Sequence, residues 1–363
     1  MRMIRYGRVD AFYLLLLFLF LSSHAEAAAP IPYFGREQGD LLTNRAEREG
    51  IENPLIGQLG GELIDTRDGK NDQRLLLLSW EKDFILERPS LSFLNVLLES
   101  DESRFVLEFP RAINPYLVLI AEYPFFFRFD PSGLLKTDRF LGLGAGAGVM
   151  KRTGAINYRI GAEWVSGALK AEGRRDAGQK LTAYLQLERD RVQRAKYDQP
   201  IGGSRLFFSL AQQQFEGFSS ESEGGGVFIE GAQEWYHSLW KETTFGLIAR
   251  EGRDSRPAKF WRTTLGSFQG DNFNVPLPGY LYQQFPAEKY LSGAADLQSW
   301  VLPSLLLHVG YHAAGGWDSH IYTSTSLGAT VLLLGKLPLV MEGALGHAPS
   351  GALELLIGTA IQW

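Results

Sequence analysis

The sequence predicts an all-β chain, a transmembrane antiparallel β-barrel of about 12–16 strands that follows an N-terminal signal peptide. Three observations carry this prediction. The chain ends on a strictly alternating segment, it begins with the pattern of a secretory leader, and its composition is that of short strands and turns.

The C-terminal segment, residues 353–363, alternates between two faces with the period of a β-strand. Its length matches the roughly 9–11 residues of a tilted strand that crosses a bilayer. One face is mainly apolar and ends on an aromatic ring: Leu353, Leu355, Ile357, Thr359, Ile361 and Trp363. The segment is therefore predicted to be a closing membrane strand.

The first residues have the layout of a secretory signal peptide. Arginines at positions 2, 5 and 8 precede an unbroken apolar run over residues 11–21, and Ala25-Glu26-Ala27 supplies a small-x-small cleavage site. The run is too short for a helical span, which needs about 20 residues. Residues 1–27 are therefore expected to be removed on export.

Composition narrows the class of the exported chain. Cleavage removes three arginines and two acids, so the net charge changes from -5 to -6, which gives no electrostatic reason to expect nucleic-acid binding. The 40 glycines and 12% aromatic residues suit many short strands, and the count of zero cysteines excludes disulfides and a lipid-anchored cysteine. No later segment reaches the roughly 18 uncharged apolar residues of a helical span, which leaves a closed barrel.

Period-two alternation recurs along the chain and predicts the barrel strands. In Asn157–Val165, Ser304–Ala313 and Tyr322–Leu333 the apolar faces are expected to meet lipid and the polar faces the lumen. Weaker segments are Gln58–Thr66, Arg74–Lys82, Arg104–Phe109, Tyr116–Phe129, Lys180–Glu188, Arg205–Phe215, Val227–Leu239, Thr243–Arg250, Leu291–Trp300 and Leu339–Gly346. The segment Pro89–Ser100 mixes periods, so a short helix and an irregular strand both remain open for it.

The predicted domain organisation is simple. Residues 28–56, rich in proline, glycine and charge, are interpreted as a periplasmic leader or plug, and residues 57–363 as the barrel. The long polar connection Glu251–Tyr282 is expected to be an extracellular loop, because such barrels have short periplasmic turns and long outer loops. The predicted location is the bacterial outer membrane.

The glycine run Leu141–Val149 resembles a dinucleotide-binding fingerprint at first sight. Its glycines recur at every second residue, however, whereas the fingerprint needs G-x-G-x-x-G between a strand and a helix. The run is better explained as a strand with glycines on its lumenal face, where another part of the chain can pack.

Catalytic and metal-binding patterns are scarce, and no enzyme activity, cofactor or metal is predicted. A histidine and a serine, His347 and Ser350, lie close in sequence, but Pro349-Ser350-Gly351 is also an ordinary turn. His308 and His312 would be about 13 Å apart along a strand, too far to bind one metal directly. Aromatic residues such as Phe126, Trp235, Tyr236 and Trp240 are interpreted as an interfacial girdle.

From about residue 186 onward a set of features follows one another in a fixed order. They are Asp190 followed by Pro200-Ile201-Gly202-Gly203, Pro278-Gly279-Tyr280 in a loop, a strand carrying Asp296, a Gly-rich segment at 313–317, and the closing strand 357–363. This order resembles the surface-antigen barrel of bacterial outer-membrane protein assembly and translocation factors. Pro278 replaces the arginine that the family carries in this loop. Residues 28–56 also leave too little room for the family's periplasmic transport repeats.

The resemblance implies functional residues and partners. Gly279, Tyr280 and Asp296 match loop and lumen positions of the family, and Ile357, Thr359, Ile361 and Trp363 match its assembly signal. The implied function is insertion or movement of outer-membrane protein or lipid. The implied partners are outer-membrane lipids, including lipopolysaccharide, and the barrel-assembly machinery. A passive channel or structural barrel and an outer-membrane lipolytic enzyme remain alternatives.

Overall fold

A computed structural model of the 363-residue chain shows an all-β protein. It describes residues 55–65, 73–88, 91–99, 102–109, 114–129, 135–151, 156–171, 173–194, 200–218, 223–256, 261–266, 274–280, 284–316, 320–333 and 339–362. The predicted signal peptide and nearly all of the predicted leader lie outside these residues. In the described part of the chain, no helix is long and apolar enough to span a membrane.

The first half of the chain forms long antiparallel strands joined mostly by short connections. These strands are β1 (Leu55–Asp65), β2 (Gln73–Arg88), β3 (Leu91–Glu99), β4 (Glu102–Glu108), β5 (Asn114–Glu122), β6 (Phe125–Phe129), β7 (Leu135–Lys151), β8 (Asn157–Ala171), β9 (Arg174–Asp190), β10 (Gln193–Arg194) and β11 (Pro200–Glu216).

The second half continues this sheet and adds a small separate one. Its strands are β12 (Gly224–Trp240), β13 (Thr243–Asp254), β14 (Thr264–Leu265), β15 (Asn274–Val275), β16 (Phe285–Pro286), β17 (Lys289–Leu302), β18 (Leu305–Gly316), β19 (Tyr322–Leu333), β20 (Leu339–His347) and β21 (Leu353–Gln362). The short strands β14, β15 and β16 pair with one another and lie in the long connection between β13 and β17.

The main sheet closes on itself as a barrel. Neighbouring strands pair antiparallel, and β1 pairs with both β2 and the last strand, β21. Of the eighteen strands that the structure describes in this sheet, β6 continues β5 along β7, and β10 is a two-residue extension beyond β9. The described part of the chain therefore supplies sixteen spanning strands, an even number within the predicted range. Closure leaves no unpaired edge, which a lipid environment requires.

The two faces of the sheet differ in chemistry, and they do so in the predicted directions. On β8, Ile160 and Trp164 are exposed, whereas Arg159 and Glu163 are buried on the lumenal side. The same alternation holds along β18 and β19, where leucine, valine and tyrosine face outward and histidine and serine face inward. An exposed apolar exterior around a buried polar interior is the arrangement expected of a membrane barrel.

The connections give the barrel an orientation. At the end where β1 begins and β21 ends, turns such as 241–242 and 303–304 are short. The opposite end carries the longest connection, residues 255–288. Because outer-membrane barrels have short periplasmic turns and long outer loops, this second end is assigned as extracellular. Residues 255–288 are called the long loop below.

Several details differ from the sequence predictions. The segment Tyr116–Phe129 is two strands, interrupted at Tyr123 and Pro124, because proline cannot donate a ladder hydrogen bond. Pro89–Ser100 contains a regular strand, β3, and the predicted long loop begins after Asp254, not at Glu251.

The expected aromatic girdle is wrong for two of its members. Trp235 and Trp240 are exposed on β12, but Phe126 and Tyr236 are buried. The reason is strand parity, since Tyr236 follows the outward-facing Trp235 directly and so points inward.

Candidate functional site

A charge cluster of Glu102, Arg104, Arg159 and Glu163 lies buried on the lumenal side of β4 and β8. Arg104 donates one hydrogen bond to Glu102 at 2.7 Å and another to Glu163 at 2.8 Å. Arg159 reaches the same Glu163 oxygen at 3.2 Å. One carboxylate is therefore shared by two guanidinium groups, which offsets the cost of burying all three charges.

Two tyrosines complete this cluster from β5 and β9. The hydroxyls of Tyr116 and Tyr184 are hydrogen-bonded to each other, and Tyr184 donates to Glu163 at 2.9 Å. The guanidinium of Arg159 lies 4.9 Å from the centroids of both rings, within cation–π range. One polar network thus joins β4, β5, β8 and β9 on the lumenal side, across β7, which lies between β5 and β8.

The glycine run of β7 makes room for these rings, as the sequence predicts for a glycine-lined face. A Cβ on Gly148 would lie 2.5 Å from the Tyr116 hydroxyl, and a Cβ on Gly161 of β8 would lie 2.8 Å from the Tyr184 hydroxyl. The tyrosines therefore lie close against backbone that only glycine leaves free.

Further buried ion pairs extend the network towards both ends. Lys180 contacts Glu122 at 2.6 Å, and Arg205 bridges Glu188 at 2.7 Å and Glu234 at 3.3 Å. Because these charged groups are buried, this part of the lumen is packed with side chains instead of being an open aqueous surface.

The long loop is fixed at its root by a second set of buried polar contacts. Arg256 donates to Asp254 through Nε at 2.8 Å and to Gln213 of β11 at 3.1 Å. The Asp254 carboxylate also accepts the backbone N–H of Thr263 at 2.7 Å. These bonds turn the chain inward immediately after β13 ends.

Trp261 anchors the long loop against the interior of the barrel and is fully buried, with 0% exposure. Its ring lies 4.7–5.5 Å from the rings of four phenylalanines, which come from β6, β7, β11 and the bend that follows β11: Phe126, Phe140, Phe215 and Phe218. Such edge-to-face and tilted pairs add to the apolar burial of the ring.

The far part of the long loop, Pro278-Gly279-Tyr280, lies against the last hairpin of the barrel. The Gly279 N–H donates to the buried Glu354 carboxylate at 2.5 Å. A Cβ on Gly279 would lie 2.5 Å from the Ala348 nitrogen, and its φ of 83° also favours glycine.

Tyr280 donates to the Thr323 carbonyl of β19 at 3.2 Å. Burial and the neighbouring Tyr322 raise the pKa of Tyr280, which keeps its hydroxyl a donor.

The described parts of the long loop therefore contact two separate groups of strands at the extracellular end of the barrel. Trp261 contacts strands on one side, and Gly279 with Tyr280 contacts strands on the other. The predicted loop residues Gly279 and Tyr280 are together at this second contact. Asp296 lies on β17, where it is buried and accepts a hydrogen bond from Gln298 at 2.8 Å.

The hairpin that receives the loop includes the histidine and serine considered as a catalytic pair. His347 ends β20 and Ser350 lies in the turn that follows, and both are exposed.

His308 and His312 are buried on β18, and His312 lies 2.9 Å from the Ser326 hydroxyl. In the part of the chain that the structure describes, no group of three or more His, Cys, Asp or Glu residues could hold a metal ion.

The predicted assembly-signal residues fall on the closing strand. Ile357, exposed on β21, is opposite Gly61 of β1, while Thr359 and Ile361 are opposite Leu59 and Gly57. Trp363 lies outside the described residues.

The seam between β1 and β21 is regular. Its register continues without a bulge from Ile56 opposite Gln362 to Asp65 opposite Leu353. The first and last strands are thus fully paired.

Sequence reasoning missed Trp261 and Arg256. One signal was available for both, since a tryptophan and an arginine within a predicted extracellular loop are large side chains that often find buried partners.

Comparison with known proteins agrees with the fold. No family model matches the sequence, and no curated protein matches it. Among solved structures, BamA from Haemophilus ducreyi lacking POTRA domains 1–3 matches 99% of this chain and 80% of its own, with a TM-score of 0.53 and 10% identity.

CdiB from Acinetobacter baumannii matches 85% of this chain with a TM-score of 0.52 and 10% identity. This chain covers 60% of the length of CdiB. At these identities the likeness is one of fold. The predicted all-β architecture is confirmed, and the chain is an outer-membrane β-barrel.

Proposed function

We propose that this barrel inserts or moves outer-membrane protein or lipid, as the resemblance to surface-antigen barrels implies. The observation that carries the proposal is the contact between Gly279 and Glu354. Glu354 lies on β21 opposite Ile64 of β1, so the long loop binds a residue of the seam itself. A movement of the loop at the mouth is thereby coupled to the pairing of the first and last strands.

The long loop also favours insertion or movement of protein or lipid over the function of a passive pore. A passive pore needs a permanent aqueous path, whereas here a loop held by Trp261 and Gly279 contacts two separate groups of strands at the extracellular end. The fold shared with BamA and CdiB gives further support. The barrel-assembly machinery is the proposed partner during biogenesis.

A disulfide across the seam tests the proposal. Gly60 and Gly358 are directly opposite on β1 and β21, and the chain has no cysteine of its own, so Gly60→Cys with Gly358→Cys gives a defined crosslink. The control pair, Ala329→Cys with Gly343→Cys, joins β19 to β20. In cells that contain only the variant, the seam crosslink should reduce outer-membrane protein or lipid levels, and a reductant should restore them. Equal levels with both crosslinks would contradict the proposal.

A passive channel or structural barrel is the second candidate, and the unbroken register of the seam favours it. A strand pair that opens for clients would be expected to pair less completely than its neighbours. Planar-bilayer recordings separate the two roles. A steady, solute-selective conductance that the seam crosslink leaves unchanged would support the channel.

A further inference from the structure

Three cationic side chains form a row across neighbouring strands at the extracellular end of the barrel. Arg139 of β7 is directly opposite Lys170 of β8, and Lys170 is directly opposite Arg175 of β9. All three side chains are exposed. Because adjacent strands are about 4.8 Å apart, the row extends over about 10 Å.

The row lies on the outer face of the barrel. Along β7, Arg139 alternates in phase with Leu141 and Leu143, which is 68% exposed. Along β9, Arg175 is in phase with the exposed Leu181. Asp176, next to Arg175 in the chain, is opposite the buried Leu169 and has the lumenal parity. Asp176 and the three cations are thus on different faces.

The row also marks the upper limit of the apolar band. On the outer face of β7 the side chains between Arg139 and Lys151 are Leu141, Leu143, Ala145, Ala147 and Val149. A band of this kind contacts acyl chains, and the cations directly above it are therefore at the level of the lipid headgroups.

Like charges directly opposite each other on one face repel, and Lys170 and Arg175 are opposite in this way. An anion that contacts both relieves this repulsion. Lysine and arginine at a membrane surface attract anionic lipids, and arginine matches the geometry of phosphate.

We propose that Arg139, Lys170 and Arg175 bind the phosphate groups of lipopolysaccharide in the outer leaflet. The row suits a headgroup with more than one phosphate, since its three cations are side by side. This site lies on the outside of the barrel and does not depend on the proposed function of the lumen and seam.

Binding of bisphosphorylated lipid A in detergent micelles to the purified full-length protein tests the site. The triple variant Arg139→Gln, Lys170→Gln, Arg175→Gln should bind about a hundredfold more weakly, and Lys170→Gln alone about fivefold. The matched control Lys151→Gln removes an exposed cation at the opposite end of β7 and should leave the affinity unchanged. Heat-modifiable gel mobility checks that each variant has folded, and the single variant replaces the triple one if the latter does not fold.

Two further probes identify what the row binds. Dephosphorylated lipid A should bind the native barrel as weakly as lipid A binds the triple variant. The charge-preserving variant Arg139→Lys with Arg175→Lys should stay within a few-fold of native affinity. Equal affinity of native protein and folded triple variant would overturn the site. Equally tight binding of phosphatidylglycerol would overturn its assignment to lipopolysaccharide.

Discussion

The backbone N–H of Gly279, in the long loop, donates to the carboxylate of Glu354 on the last strand of the barrel at 2.5 Å. Seventy-five residues separate the two in the chain. Glu354 is fully buried at 0% exposure, so its charge depends on partners of this kind. The contact joins the mouth of the barrel to its seam.

Replacement of Glu354 by alanine should release the tip of the long loop. A hydrogen bond to a charged group contributes about 1.5–3 kcal/mol, so exchange of the backbone amides of residues 277, 279 and 280 should accelerate roughly tenfold or more. Hydrogen exchange with mass spectrometry measures this. Glu288→Ala, which removes an exposed carboxylate paired with Arg262 at the other end of the loop, is the control and should change exchange little. Unchanged protection in the Glu354 variant would show that other contacts hold the tip.

Trp261→Ala should detach the near part of the long loop. Loss of a fully buried aromatic ring costs about 3–5 kcal/mol, because the surrounding phenylalanines cannot close the cavity completely. The conductance of the variant in planar bilayers should also be higher, since the loop would no longer be held at the mouth.

The control for this variant is Trp240→Ala, which removes a ring that is 70% exposed on the outer face. It should leave conductance unchanged and affect stability far less. If both tryptophan variants conduct alike, the long loop does not close the mouth.

The faces of the strands could be predicted from the sequence, whereas the contacts of the long loop could not. Alternation is a local property, so the residues next to Arg159 and Glu163 predict that both face the lumen, and both are buried there. Gly279 and Glu354 are 75 residues apart in the chain and are brought together only when the barrel closes. The alternation of residues along a strand contains no information about such a contact. Phe126 and Tyr236 show that prediction can also fail within a strand. Their aromatic side chains indicate the membrane interface, but their positions in the alternation of the strand place them on the lumenal side.

Glu163→Gln should destabilise the barrel strongly. The substitution leaves Arg104 and Arg159 buried beside each other without the carboxylate that both contact, and breaking a buried pair in this way costs about 3–5 kcal/mol. Urea unfolding of the protein in detergent measures the change. Glu216→Gln applies the same substitution to an exposed carboxylate on β11 that accepts from Gln179, and it should cost less than about 1 kcal/mol. Equal effects would mean that the cluster is not important for stability.

Gly148→Ala should destabilise the barrel, although alanine is the smallest possible addition. Its Cβ would lie 2.2 Å from the Ile160 carbonyl oxygen of β8 and 2.5 Å from the Tyr116 hydroxyl, so both the neighbouring strand and the ring beside the Glu163 network must shift, at about 1–3 kcal/mol. Gly231→Ala on β12 is the matched control, because a Cβ there has nothing within 4 Å. That substitution should be neutral or stabilise by about 0.4–1 kcal/mol through the unfolded chain. The urea midpoints of the two variants give the comparison. A Gly148 variant as stable as the Gly231 variant would show that Tyr116 can move away freely, and that the glycine face of β7 is not needed to seat the tyrosines.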